Sequence, residues 1–181
     1  YDFLVWAADL PTFYDVVNLD GLPSNIKNKV LNQKAKFRKA RSSESVFSLY
    51  LEADLPLEYF EKISQGHFFY TPLKKGLGTL HTSELDSLID NFADIKKDAL
   101  LSWLNRFLEQ NTFEISIPGL RDRNLVPQGK TGLIVSFLTN FWLFEKVKQA
   151  GWYEEFTRII ENKIIDILSS TIYKELKGKI E

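Results

Sequence analysis

The sequence predicts an α+β fold, with a mixed, mainly antiparallel sheet and helices packed on one of its faces. Three observations lead to this fold class. Several short segments alternate apolar and polar side chains, as strands with one solvated face do. Longer segments space their apolar residues as helices do, and the two kinds mix without regular βαβ order. The 181 residues, 44% of them hydrophobic, suffice to bury a continuous core.

Residues 1–20 predict a strand, a turn and a helix. The apolar run from Phe3 to Ala8 is rich in strand-forming residues, and we expect it to be a buried strand. Pro11 suits the first turn of a helix over residues 12–19, which Asp9 or a neighbour caps. Because the chain begins directly with this pattern and contains no Met, we expect it to be an interior piece of a longer protein.

The rest of the chain carries the sheet and most of the helices. Strand patterns cover residues 45–52, 67–71, 112–117 and 131–138. Helical patterns cover residues 57–66, 83–92, 94–110, 140–150 and 153–176. A loop over residues 118–129 joins the last two strands. The alternation of 45–52 is the clearest, with Phe47, Leu49 and Leu51 on one face.

A basic segment follows the first helix. From Leu22 to Ser43 the chain has no acidic residue but seven Lys or Arg, between Lys27 and Arg41. A solvated helical or irregular segment is the favoured interpretation. The alternative is attraction of residues 27–41 to anionic lipid headgroups. Nucleic acid is the least favoured partner, because these charges have no interleaved aromatic platform, only the single Phe37, and because the net charge is −1.

Two glycine motifs resemble nucleotide-binding loops but are incomplete. The segment Gly76-Leu77-Gly78 lacks the third glycine of a dinucleotide fingerprint and does not open a helix. The segment Gly129-Lys130-Thr131 imitates the end of a phosphate-binding loop. Asn124, however, stands where that loop needs its first glycine, and a strand is predicted to follow. We therefore expect neither loop to bind a nucleotide.

The composition excludes other kinds of site. Without cysteine the chain has no disulfide scaffold, zinc ribbon or thiolate nucleophile, which also fits a reducing compartment. His67 and His81 are the only histidines, and a packed or surface-edge role is favoured over a metal ligand or a base. No serine lies in a Gly-x-Ser-x-Gly elbow. The residues alone thus predict a soluble domain with an aromatic-rich core, no metal and no catalytic constellation.

Three stretches carry a family resemblance. Residues 1–10, YDFLVWAADL, place an apolar strand before a small-residue corner, and residues 41–51, RSSESVFSLYL, lead through serines into a strand. Residues 113–131, FEISIPGLRDRNLVPQGKT, follow the pattern strand, Pro, Asp-x-x-Leu-Ala-Pro-x-Gly-Lys, strand, with Val126 in place of the Ala. In this order they resemble the FAD-dependent phytoene desaturase, carotenoid isomerase and retinol saturase family.

The resemblance implies a substrate domain of the amine-oxidase and phytoene-desaturase type. The family's Gly-x-Gly-x-x-Gly fingerprint and its glycine-rich C-terminal FAD segment are absent from this sequence. The chain would then be a single excised domain, in which residues 1–20 border the missing FAD domain and residues 45–181 form the substrate-domain sheet and helices. FAD would bind the intact protein, with the corner Ala7, Ala8 and Asp9 close to it.

The same resemblance implies a hydrophobic polyene or isoprenoid-like substrate. The flavin would perform the redox chemistry while the protein supplies an apolar cavity. Five aromatic residues are the predicted substrate contacts, with ordinary core packing as their alternative: Phe68, Phe69, Tyr70, Trp103 and Phe107. No catalytic residue is predicted, and the fragment alone is expected to be inactive and cytoplasmic, with a peripheral membrane contact through residues 27–41. The alternative function is a non-enzymatic hydrophobic-ligand or protein-interaction module.

Overall fold

A computed structural model describes residues 2–39 and 44–180 of the chain. It divides into two compact units, Tyr1–Ser42 and Ser43–Glu181. The end of the predicted basic segment, including Arg41, and the first two serines of the second family-like stretch, Ser42 and Ser43, lie outside the described residues.

The first unit is a helical hairpin. Helix α1 (Leu10–Val16) is capped by Asp9, whose carboxylate accepts the Thr12 backbone N–H at 2.9 Å, so the predicted cap is confirmed. Helix α2 (Ser24–Lys39) follows a turn at Gly21, where φ is 75°. The two helices meet at a ring stack between Tyr14 and Phe37, whose centroids are 5.3 Å apart.

The prediction of a buried strand at the N-terminus is wrong. Residues 2–8 form neither a strand nor a helix, and Phe3, Leu4 and Val5 are 92%, 76% and 89% exposed. The apolar run has the composition of a buried strand, but a strand needs a neighbour that takes up its backbone hydrogen bonds. None of the described strands pairs with it.

The second unit contains a four-stranded antiparallel sheet, and its α+β class is confirmed. Strands β1 (Glu44–Ala53), β2 (His67–Tyr70), β3 (Phe113–Ser116) and β4 (Thr131–Asn140) lie in the order β1-β4-β3-β2. The longest ladder joins β1 to β4 from Glu44 opposite Asn140 to Ala53 opposite Thr131. Alternation sends one set of side chains inward, as the sequence predicts for residues 45–52.

The helices of this unit contribute to one core on the inner face of the sheet. They are α3 (Leu57–Glu61), α4 (Ser83–Asp90), α5 (Lys97–Gln110), α6 (Phe141–Gln149) and α7 (Tyr153–Thr171). Helix α7 buries Phe156, Ile160 and Ile164 completely, in the predicted apolar stripe. It ends earlier than predicted, and Tyr173 follows it into the core. Among residues 2–39 and 44–180, no helix combines the length and hydropathy that a membrane span requires.

The outer face of the sheet remains open. Four large apolar side chains on it are well exposed: Val46 (58%), Tyr50 (73%), Phe69 (69%) and Leu138 (59%). The strand register places Val46 opposite Leu138 and Phe69 opposite Glu114. An antiparallel sheet often has one solvated face, but that face is usually polar. Within the second unit, a partly apolar surface is left exposed here.

Candidate functional site

The candidate site is a cleft at one end of the sheet, where β1 and β3 begin and β4 ends. Its volume is about 470 Å³. The outer face of the sheet contributes Val46, Phe69 and Leu138, and the inner side contributes Leu77 and Phe107. We call it the end cleft. Its lining is mainly apolar, and its size lies within the range of small-molecule sites.

Two of the five predicted substrate contacts line the end cleft. Phe69 reaches it from the open face, and Phe107 forms part of its floor while 3% exposed. Phe68 and Tyr70 lie on the opposite face of β2, half-buried against the core. The alternation of a strand separates these neighbours, because successive side chains point to opposite faces.

Trp103, the fifth predicted contact, supports the cleft from behind. Its ring stacks on Phe107 with centroids 4.8 Å apart, and only 2% of the residue is exposed. Its indole N–H donates to the Leu80 carbonyl at 3.0 Å, which fixes the short 3-10 turn Gly78–His81. Trp103 therefore positions one wall of the cleft and offers no surface to a ligand there.

Glu84 ties the same turn to two helices. Its carboxylate accepts the Thr79 hydroxyl at 2.9 Å and the Arg106 guanidinium at 3.0 Å. The Thr79 hydroxyl, and after it Arg106, hold the pKa of Glu84 below its ordinary value, against an opposing effect of burial. The wall that carries His81 into the cleft is thus fixed to α4 and α5.

The polar groups of the cleft are largely committed to partners. Glu114 binds His67 across β2 and β3, with Nε2 and Oε1 2.7 Å apart, so His67 is the surface-edge histidine that was predicted. Asn111 is buried, donates to the Leu138 carbonyl at 3.3 Å and accepts the Thr112 N–H at 2.8 Å. The hydrogen bonds of the described residues include no nucleophile–base pair in the cleft.

Metal ligands do not cluster anywhere in the described part of the chain. No group of three His, Cys, Asp or Glu residues in it could hold a metal ion. Gly129 has φ 80° in a turn that leads into β4, so the Gly129-Lys130-Thr131 segment does not open a helix. Lys130 instead binds Glu52 at 2.6 Å. The expectation that this segment is not a phosphate-binding loop agrees with that geometry.

The corner predicted to approach FAD lies in the first unit. Ala7 and Ala8 are exposed. The Asp9 carboxylate is committed, since it accepts both the N–H and the hydroxyl of Thr12, at 2.9 and 2.8 Å. The corner is a turn into α1, and its approach to FAD stays a prediction of the resemblance.

The third family-like stretch packs tightly. It forms two 3-10 turns, Pro118–Leu120 and Arg123–Leu125, between β3 and β4. Buried Gly119 faces Val126, and a Cβ added at Gly119 would lie 2.1 Å from a Val126 methyl. The sequence does not predict this contact, because residues seven positions apart in a loop have no fixed spacing.

Comparison with known proteins gives no match: no family model, no curated protein and no solved structure is significantly similar to the chain. The resemblance to the phytoene desaturase family therefore rests on the three quoted stretches and stays a prediction.

Proposed function

We propose that the chain is the substrate-domain part of a cytoplasmic FAD-dependent oxidoreductase related to phytoene desaturase. Its substrate is a hydrophobic polyene or isoprenoid. The flavin, held by the intact protein, supplies hydride transfer or flavin-assisted isomerisation. The residues of this chain bind and orient the substrate, and the chain alone is inactive.

The end cleft carries the proposal. A polyene offers few polar handles, so its binding site needs an extended apolar wall. Part of such a wall is present, since Val46, Phe69 and Leu138 line the cleft from the open face of the sheet, beside the polar Glu114 and Ser136. The cleft itself offers about 470 Å³. The family resemblance of the chain supports the same substrate class.

Binding of a polyene to the chain tests the proposal. All-trans-retinol is titrated into the protein, and energy transfer from tryptophan reports binding. Because Phe69 is an exposed aromatic wall, Phe69→Ala removes apolar contact area and is expected to weaken binding about tenfold. Phe141→Ala is the matched control, since Phe141 is also exposed but lies outside the end cleft. No binding, or equal loss in both variants, contradicts the proposal.

The titration does not distinguish the enzyme from the alternative function, a non-enzymatic module. A second measurement, of flavin uptake, does. Such a module would bind retinol through the same cleft, yet the intact protein would take up no flavin. Polyene binding with flavin uptake supports the enzyme, whereas polyene binding without flavin supports the module.

A peripheral membrane contact belongs to the same proposal, because a substrate dissolved in lipid favours an enzyme at the bilayer surface. Within α2, Lys34 and Arg38 bind Asp15 at 3.0 and 2.9 Å. Lys27, Lys29 and Lys36 are exposed, and the described residues provide no ion-pair partner for them. Near an anionic surface each contributes about 1 kcal/mol.

Vesicle sedimentation tests this contact. The protein is expected to sediment with anionic but not with neutral vesicles, and charge reversal at Lys29 and Lys36 together is expected to abolish the difference. Charge reversal at Lys96, an exposed lysine of the second unit, is the control and should preserve it. Equal, negligible binding of the unmodified chain to both kinds of vesicle would remove the membrane contact from the proposal.

A further inference from the structure

The outer edge of β1 lacks the features that usually protect an edge strand. β1 is ten residues long and pairs with β4 along its whole length. On its other edge the only pairing among the described residues is a bridge between Ala53 and Ile180. Natural edge strands are commonly short, charged or interrupted by proline. Between Ser45 and Leu51 this edge has neither a charged residue nor a proline.

The bridge at Ala53 shows that backbone pairs with this edge at one point. It is antiparallel, and the Asp54 N–H donates to the Lys179 carbonyl at 2.7 Å. In an antiparallel ladder the backbone groups of alternate residues point to the same side. The N–H and C=O groups of Tyr50, Ser48 and Val46 therefore point to the edge on which Lys179 lies.

The core is complete only where the bridge covers the edge. On the inner face of β1, Ala53 and Leu51 are 0% and 5% exposed. Leu49, Phe47 and Ser45, farther from the bridge, are only half-buried. Burial along the inner face of β1 therefore falls with distance from the bridge, which leaves apolar surface accessible beside the uncovered part of the edge.

A groove lies beside this uncovered part. Its volume is about 330 Å³, and Phe47, Phe144 and Tyr153 contribute to its walls. The rings of Phe47 and Phe144 are 5.9 Å apart, and those of Phe144 and Tyr153 are 6.3 Å apart. A side chain that faces the core from a strand next to Phe47 would enter this groove.

We propose that the intact protein lays one further strand along β1, antiparallel to it, from the Ala53 end towards Glu44. This inference rests on the proposed function, in which the chain is part of a larger enzyme. Every second residue of the added strand is apolar and faces the core opposite Leu51, Leu49 and Phe47, while main-chain hydrogen bonds supply affinity.

A second copy of the chain fits this edge less well. Two β1 strands paired over their full length would place residue 44 of the partner opposite Ala53. Ile180 already occupies that position. The bridge therefore favours a strand that continues from the Ala53 end over a symmetric pair of β1 strands.

Two designed tails joined after Glu181 test the inference. Each has six residues that alternate valine and threonine. The in-phase tail has valine at its first, third and fifth positions, which face the core in the register of the bridge. The control tail has the same composition with valine at the second, fourth and sixth positions. Amide hydrogen exchange is measured for Val46, Ser48 and Tyr50 in both proteins and in the unmodified chain.

The in-phase tail is expected to slow exchange of these three amides about tenfold, and the control tail to slow it much less. Equal exchange in all three proteins, or equal slowing by both tails, would overturn the inference. Slow exchange of the same three amides in the unmodified chain would also overturn the inference in two cases. In the first, sedimentation shows that the chain dimerises; in the second, the protection disappears when residues 2–8 are removed. Since neither flavin nor polyene takes part, failure here leaves the retinol titration unaffected.

Discussion

Gly119 provides a sharp test of how the family-like loop packs. A Cβ at Gly119 would lie 2.1 Å from Cγ2 of Val126 and 3.1 Å from Cδ1 of Leu57. Gly119 does not have a positive φ, so the strain of Gly119→Ala arises from the side-chain clash. Val126 cannot turn aside easily, because its β-branched side chain has few rotamers. Overpacking of this kind lowers the free energy of unfolding by about 1–3 kcal/mol.

A second substitution at the contact should rescue the first. Val126→Ala removes the clashing methyl and, because Val126 is half-buried, costs about 1 kcal/mol by itself. In the double variant the clash with the Val126 methyl is gone and only the 3.1 Å approach to Cδ1 of Leu57 remains, so its stability is expected to be much closer to that of Val126→Ala alone than additivity predicts. Alanine is also the residue that the family pattern has at this position.

Urea unfolding followed by circular dichroism measures the four proteins of this cycle. The expected coupling is favourable by about 1–3 kcal/mol, equal to the relieved clash. Gly132→Ala is the matched control: Gly132 has no positive φ, and a Cβ there meets nothing within 4 Å, so stability should not fall. Additivity of the two substitutions within about 0.5 kcal/mol would refute the packing argument.

Three further predictions concern stability and titration. Burial raises the pKa of Tyr173 above its ordinary 10.0, and its hydroxyl lies 2.8 Å from the Ser64 hydroxyl. The free energy of unfolding should therefore fall as pH rises above about 10, and it should fall more steeply than in Tyr173→Phe. At neutral pH that variant should be less stable by about 1 kcal/mol. If urea unfolding gave the two proteins the same dependence of stability on pH, the prediction would be contradicted. Asn140 caps α6 by accepting two backbone N–H groups, so Asn140→Ala should cost about 1 kcal/mol in urea unfolding and Asn140→Asp much less; equal losses would argue against the cap. Hydrogen bonds from Lys34 and then Arg38 lower the pKa of Asp15, so NMR titration should find its midpoint below 3.8 and Lys34→Ala should raise it; an unchanged midpoint would contradict the pairing.

Most elements of the second unit could be predicted because their patterns are local. The alternation of 45–52 and the apolar run 131–138 place β1 and β4 within two residues of their observed ends. The order β1-β4-β3-β2 could not be predicted, because the pairing of Ser48 with Ser136 joins residues 88 apart in the sequence. Such long-range pairing depends on packing of the whole sheet, which no local spacing encodes.

The prediction of an N-terminal strand failed for the opposite reason. Its composition is local and strongly strand-like, but a strand exists only with a partner. Phe3, Leu4 and Val5 have no such partner among the described residues and remain exposed. The composition therefore indicates a segment that is able to form a strand, but it does not show whether a partner strand is present.

The candidate site was predictable only in part. The alternation of β2 already implies that Phe69 faces away from Phe68 and Tyr70, so these three neighbouring aromatics could not all line one cavity. Trp103 and Phe107 lie one helical turn apart, and this spacing gives their stack but not which ring reaches the cleft. Which ring reaches the cleft depends on where the strands end, and the tertiary fold sets those ends.

The absorbance spectrum of the purified intact protein tests the central claim most directly. If the chain is the substrate domain of a flavoenzyme, the intact protein should show the yellow absorbance of bound oxidised flavin, near one flavin per polypeptide after incubation with FAD. An intact protein that folds and binds retinol but stays colourless after that incubation would contradict the claim.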